Sequence, residues 1–368
     1  MKTDAIISPV SLIRTTPPTP SWLGDEISKA LKKITGTEDL STLMRTHKFT
    51  GTFEDKETGA RWLAQRFGTA PDTDRLIVTN GTQNALFLTL NQVIGSGNVI
   101  LAEEIGYYGL CKLSGLLGVK VVPVDTDADG ADPDAVARLC RKFNPKGLFL
   151  APTLHNPTAR VMSLDRRRAL ADVARRYGLA IVEDDVYGML PADAPPPMAA
   201  IAPDITWHAT GPAKCVAPGL RIGYLVTPGK TETAAVFRPV NTTSTWFTSP
   251  VSASLMMHLV DNGGGIRILN AIRDEAVERQ KLALSILGSA EIRTHPESLF
   301  LWLSLPPGCS GDDFVAAAQD RGITIRHGRI FSVNQAYDPK ATRIVLGAPE
   351  TRDELALALK HIAEIIGL

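Results

Sequence analysis

Residues 205–224 read ITWHATGPAKCVAPGLRIGY, and the fold turns on how this stretch is parsed. Ile205–Ala209 is a short strand candidate, and the Thr210-Gly211-Pro212-Ala213 segment breaks it before Lys214. A Pro218-Gly219 turn then leads into a second strand candidate, Ile222–Val226. Lys214 therefore falls just past the carboxyl end of a strand, among small apolar neighbours. Such a setting disfavours the ammonium and lowers the amine's pKa, which suits Schiff-base chemistry. Most lysines are plain surface charges, so this reading needs support from the rest of the chain.

Upstream, helical and strand patterns alternate. The helix-like ARWLAQRF at 60–67 precedes a strand at Leu76–Thr79, and the helix-like TQNALFLTLNQVI at 82–94 follows it. Further strands are expected at Val99–Ala102, Val119–Val124, Leu148–Ala151 and Leu179–Glu183. Ser163 is a candidate N-cap for a helix burying Leu170, Val173, Ala174 and Tyr177, and Gly178 is its stop. Strands separated by helices imply an α/β fold with a doubly wound, mostly parallel sheet. After Pro250 a long charged helix is expected at Gly265–Leu287, then strands at Phe300–Leu303, Ile323–Ile325 and Arg343–Leu346, and a last helix at Asp353–Ile366. The expected division is an N-terminal arm (1–45, with TTPPTP at 15–20 extended and a short helix around Asp25–Lys33), a large domain (46–262) and a smaller α/β domain (263–368).

Ligands of open parallel sheets bind beyond the carboxyl ends of the strands. Asn80-Gly81-Thr82-Gln83 follows one strand and opens a helix, so its free N–H groups suit an anion, or form an ordinary turn. Glu103-Glu104-Ile105-Gly106-Tyr107-Tyr108-Gly109 follows the next, with two aromatics that either stack on a planar ligand or pack on the core. The loop after Leu148–Ala151 carries His155, Asn156 and Pro157, where a satisfied loop histidine is the simpler reading. Asp184, Asp185 and Tyr187 follow Leu179–Glu183, and buried acids there require partners, structural or functional.

Taken together these residues resemble the fold-type-I pyridoxal-5′-phosphate (PLP) enzymes, specifically class I/II aminotransferases, and most of all the aminotransferase-like domain of MocR regulators. The resemblance runs from about Thr15 to the C-terminus and rests on order and spacing: 28 positions from Asn156 to Asp184, 3 from Asp184 to Tyr187 and 7 from Lys214 to Arg221. It implies that Lys214 holds PLP as a Schiff base and shuttles the substrate proton, and that Asp184 faces the pyridine nitrogen. It implies that Asn156 and Tyr187 bind the ring's 3′-oxygen and that Tyr107 stacks on the ring. Gly81, Thr82, Gln83 and Arg221 would cradle the phosphate, and Arg343 would clamp the substrate α-carboxylate beside Asn156. The implied activity is transfer of an amino group between an amino acid and a 2-oxo acid. The same apparatus also supports elimination, cyclisation or oxidation, or a sensor that binds PLP and an amino acid without turnover.

Two departures stand out. The family's phosphate-binding serine three residues before the lysine is replaced by Gly211, with Thr210 a possible substitute. The tyrosine that relatives send across a dimer is missing near Thr46–Phe49, leaving His47, Ser244 or Thr245 as compensating groups. A free-standing enzyme is expected, because the sequence holds no counterpart of the regulators' DNA-binding domain. Its 39 basic residues balance 39 acidic ones, which argues against non-specific binding to nucleic acid or acidic membrane. Four dispersed cysteines argue against a disulfide framework or a metal site. Without an apolar span or secretion signal, a cytoplasmic protein is expected, and the resemblance implies a homodimer.

Overall fold

The computed structural model describes residues 9–45, 49–240 and 248–368, with 237–240 as backbone only. Seven strands form the central sheet: β1 (Leu76–Thr79), β2 (Val99–Glu103), β3 (Lys120–Val124), β4 (Gly147–Leu150), β5 (Ala180–Asp184), β6 (Thr206–Thr210) and β7 (Gly223–Val226). Their spatial order is β1-β7-β6-β5-β4-β2-β3. The pairs β2–β3, β2–β4, β4–β5 and β5–β6 are parallel, and β7 runs antiparallel to both its neighbours. The expected mostly parallel sheet is therefore present.

Helices cover both faces, which is why β1, β4, β6 and β7 are buried at every position. The helices used below are α1 (Phe53–Phe67), α2 (Thr82–Thr89), α3 (Pro133–Phe143), α4 (Leu164–Tyr177), α5 (Gly264–Leu287), α6 (Gly311–Asp320) and α7 (Arg352–Ile365). Side chains on a strand alternate between faces. Leu148 and Ile181 meet Val136 of α3 and Leu170 of α4 on one face, while Phe149 and Val182 meet Leu86 of α2 on the other. Ser163 caps α4 by accepting the Arg166 N–H at 3.2 Å, and Gly178 ends it at φ 65°.

A second, three-stranded antiparallel sheet orders β8 (Ile292–Arg293), β9 (Phe300–Ser304) and β10 (Ala341–Val345) in sequence. Helices α6 and α7 supply its core with Phe314, Leu355, Leu359 and Ile362. Helix α5 bridges two cores: Ile268, Leu269 and Ile272 pack with Trp62 and Tyr224, whereas Ala283 and Leu287 pack with Leu301 and Ile344. The expected strand at Ile323–Ile325 is a two-residue strand, Ile323–Thr324, outside that sheet. It pairs in parallel with Val10–Ser11 of the arm. The arm's first helix is longer than expected, Leu23–Thr37.

Candidate active site

The carboxyl ends of the parallel strands open into a cleft of about 740 Å³. Gly81, Thr82, Gln83, Tyr107, Asn156, Asp184, Tyr187, Lys214, Arg221 and Arg343 all line it. Nine of them follow or end strands of the central sheet, and Arg343 arrives from β10. The sequence-predicted residues thus meet in one place.

Lys214 follows the breaker after β6, and its Nζ donates to the Thr15 carbonyl oxygen at 2.7 Å. Burial, then the positive charge of Arg343, lowers its pKa to about 8. Asp184 ends β5 and faces the cleft, while its neighbours point the other way. Glu183 accepts the Met198 and Ala199 N–H groups and lies 2.8 Å from His208 Nδ1. Asp185 pairs with Arg66 of α1 at 2.8 Å, both buried. Burial pushes the Asp184 carboxyl up to about 7, against a 3.3 Å hydrogen bond from the Val186 N–H and the weaker pull of the His208 and Lys214 charges.

Arg343 Nη1 donates to Asn156 Oδ1 at 2.6 Å and Nη2 to the Ile13 carbonyl at 2.6 Å. Its guanidinium lies 4.9 Å over Phe331 and 5.6 Å over Phe300, and its Nε has no hydrogen-bond partner. The Tyr187 hydroxyl donates to Thr15 Oγ1 at 2.8 Å, and burial raises its pKa to about 12. Gln83 Nε2 donates to the Tyr107 hydroxyl, and burial raises the pKa of Tyr107 as well.

Gly81 caps α2 at φ 85°, a conformation that glycine adopts without strain, and no side chain caps the helix. Asn84 and Ala85 donate to the Gly81 carbonyl, whereas the Thr82 and Gln83 N–H groups that open α2 have no intrahelical acceptor. Beside them sit the Arg221 guanidinium, 3.4 Å from where a Gly81 Cβ would stand, and the buried, unpartnered Thr82 Oγ1. The missing serine has a steric explanation. A Cβ at Gly211 would lie 2.9 Å from the Ile222 carbonyl oxygen and 3.1 Å from Gly223 Cα, so no side chain fits, and Thr82 Oγ1 is 3.2 Å from that point. Thr210 does not substitute, because its hydroxyl donates to the Asp185 carbonyl.

His155 is the satisfied loop histidine, buried between Thr158 Oγ1 at 2.8 Å and Glu103 at 3.1 Å. His47, Ser244 and Thr245 lie outside the described residues. The sequence reading missed Thr15 and Arg326 as cleft residues, and it left Tyr108, which also lines the cleft, open between ligand stacking and core packing. Arg326 had a usable signal, since it directly follows a strand candidate. Thr15 had none, because its place depends on how the arm docks.

The donors suit PLP: a buried carboxyl in no salt bridge among the described residues, an amine of depressed pKa, and an uncapped helix start beside a guanidinium and an orphaned hydroxyl.

A profile of the aminotransferase class I and II family matches residues 20–362. An HTH-type transcriptional regulator of Bacillus subtilis is 29% identical over 83% of this chain, and one of Escherichia coli is 30% identical over 81%. The chain spans 65% and 64% of the length of these two regulators. A 2-aminoadipate transaminase of Thermus thermophilus is 25% identical over 74% of this chain and 70% of its own length. An archaeal alanine:glyoxylate aminotransferase superposes with a TM-score of 0.87 at 22% identity, over 98% of this chain and 91% of its own. An α-aminoadipate aminotransferase from Thermus thermophilus, complexed with N-(5′-phosphopyridoxyl)-L-leucine, does so at 0.86 and 20%, over 97% and 92%. These likenesses show the fold, that of the fold-type-I PLP enzymes. By the extent of the profile match, the chain belongs to the aminotransferase class I and II family.

Proposed function

We propose that this chain binds pyridoxal 5′-phosphate through Lys214 and moves an amino group between an amino acid and a 2-oxo acid. The observation that carries the reading is the convergence of Lys214, Asp184, Asn156, Tyr187 and Arg343 on one cleft. Bound there, PLP supplies an electron sink for the charge left at Cα when an amino acid gives up its proton. Lys214 Nζ anchors the cofactor and then takes and returns that proton; a pKa near 8 leaves part of the amine unprotonated at neutral pH.

Asp184 would face the ring nitrogen, and a cation there would restore the carboxylate that burial disfavours. Arg343 already occupies Asn156 Oδ1, which would leave the Asn156 amide N–H groups to donate to the ring's 3′-oxygen, joined by the Tyr187 hydroxyl once it turned away from Thr15 Oγ1. Tyr107 would stack on the ring. Gly81, Thr82, Gln83 and Arg221 hold the phosphate, with the Thr82 hydroxyl in the serine's role. Arg343 grips the substrate carboxylate. We assign the arm to 1–45, the large domain to 46–262 and the small domain to 263–368, in a cytoplasmic homodimer.

A second reading is favoured by the regulators among the relatives: a domain that binds PLP and an amino acid and signals without turnover. Absorbance of the purified chain with added PLP, followed against an amino-acid panel, separates the two. Conversion of the bound cofactor to its amino form by one amino acid, with release of a 2-oxo acid, supports the transferase. Amino-acid binding without release of a 2-oxo acid supports the sensor. No cofactor band at all would refute both.

A further inference from the structure

A second cleft, of about 300 Å³, shares the 186–189 turn with the cofactor cleft: Tyr187 lines the cofactor cleft, and Gly188 and Met189 line the second. Its volume lies at the lower end of the roughly 300–1,000 Å³ that holds small organic ligands. Helix α1 contributes Gln65 and Arg66, and α5 contributes Leu269, Asn270 and Arg273. No carboxylate lines it among the described residues.

The two arginines differ in how their charge is met. Arg66 is buried and pairs with Asp185 at 2.8 Å. Arg273 is half-buried and forms no salt bridge among the described residues. Its guanidinium donates to the carbonyls of Leu190 and Met189, each at 2.7 Å, and to Asn270 Oδ1 at 3.2 Å. These acceptors are neutral, so they fix the fork without cancelling its charge. That charge reaches the buried Cys215 thiol beside Lys214, where it opposes the rise in pKa that burial causes. Three acceptors do not exhaust the five N–H groups of a guanidinium. The neighbouring acids stay outside the lining: Glu297 accepts the Ala192 N–H at 3.0 Å, and Asp193 and Asp274 are exposed.

Gln65 and Asn270 are exposed at the rim, and their amide N–H groups make no hydrogen bond among the described residues. Met189, Ile266 and Leu269 supply an apolar wall. A fixed guanidinium with uncancelled charge favours an anion with planar oxygens, and the wall favours a carbon chain behind them. We propose that this cleft binds a small monocarboxylate, its oxygens on Arg273 and the Asn270 and Gln65 amides and its alkyl chain against Met189, Ile266 and Leu269. The site is separate from the cofactor cleft and does not depend on the reaction proposed there. Its occupant sits against the turn that carries Tyr187.

The test is calorimetric titration of the full chain with butanoate and with butanamide, its uncharged counterpart. Butanoate is expected to bind at least about tenfold more tightly, the difference that a hydrogen bond to a charged group supplies. The preference is expected to persist in Arg343→Ala, where carboxylate binding in the cofactor cleft is weakened. It is expected to vanish when Asn270→Asp is added to that variant, since this change keeps an acceptor for Arg273 and places a carboxylate in the second cleft. Equal affinities for the two probes in the unaltered chain would overturn the proposal, whether or not any variant folds. So would a preference that disappears in Arg343→Ala, or one that survives the addition of Asn270→Asp.

Discussion

Lys214 Nζ donates a 2.7 Å hydrogen bond to the carbonyl oxygen of Thr15, a residue 199 positions earlier in the chain. Tyr187 donates to the hydroxyl of the same threonine, and Arg343 donates to the carbonyl of Ile13. The N-terminal arm therefore holds three site residues at once. Its extended form follows from the prolines at 17, 18 and 20, which exclude helix there.

Lys214→Ala should remove covalent cofactor binding and lower amino-group transfer by at least about 10²–10⁴-fold, the range that general acid–base catalysis supplies. An assay of 2-oxo acid release across an amino-acid panel measures it. Transfer at the unaltered rate would remove Lys214 from the mechanism.

Arg343→Ala should weaken α-carboxylate binding by about 2–5 kcal/mol, since the guanidinium is buried and its partners are left unpaired. The loss should appear as a raised KM for every amino acid. Unchanged KM would place the carboxylate elsewhere.

The two cleft groups should contribute to the pH dependence of the cofactor-free chain's stability in opposite ways, on top of the buried His155, whose lowered pKa adds a rise of its own below about pH 6.5. Asp184 rises from 3.8 to about 7 on folding, so between those values the folded chain holds a proton that the unfolded chain has lost, and stability falls as pH rises. Lys214 falls from 10.5 to about 8, so between about 8 and 10.5 the unfolded chain holds the extra proton, and stability rises with pH. Asp184→Asn should abolish the first slope, worth a few kcal/mol at about 1.4 kcal/mol per unit, and keep the second. Urea midpoints at pH 4 to 7 that run parallel in the two proteins would contradict this.

Asp185→Ala should destabilise the fold by about 3–5 kcal/mol, because it strands the Arg66 guanidinium in the interior. Removing both charges together, as Arg66→Met with Asp185→Ala, should recover much of that loss. Denaturant unfolding of the single and double variants checks it.

Gly223→Ala should weaken phosphate binding through the backbone. Its Cβ would stand 2.5 Å from the Gly81 carbonyl carbon and 2.8 Å from Gly81 Cα, so the turn that opens α2 must move. The expected outcome is a higher Kd for PLP with unaltered far-ultraviolet circular dichroism. An unchanged Kd would show that the turn has room to spare.

The residues Gly81, Tyr107, Asn156, Asp184 and Lys214 were legible in the sequence because each ends or follows a strand. A parallel sheet delivers all its carboxyl ends to one edge, so local pattern and order along the chain suffice to bring them together. Their order and spacing then point to the family. The family resemblance singled out Asp184, but local pattern did not tell which partners Glu183 and Asp185 would find. The pleat turns Asp184 one way and its neighbours the other, toward His208 and Arg66, contacts 25 and 119 residues away in sequence. Nor did the sequence reveal that Gly211 is bare because the Ile222 carbonyl crowds it, that Thr15 docks on Lys214, or that Arg66 and Arg273 line one cleft. Strand periodicity is a property of neighbours along the chain. Steric exclusion and charge pairing are settled only between segments far apart in it, and only the tertiary structure brings those together.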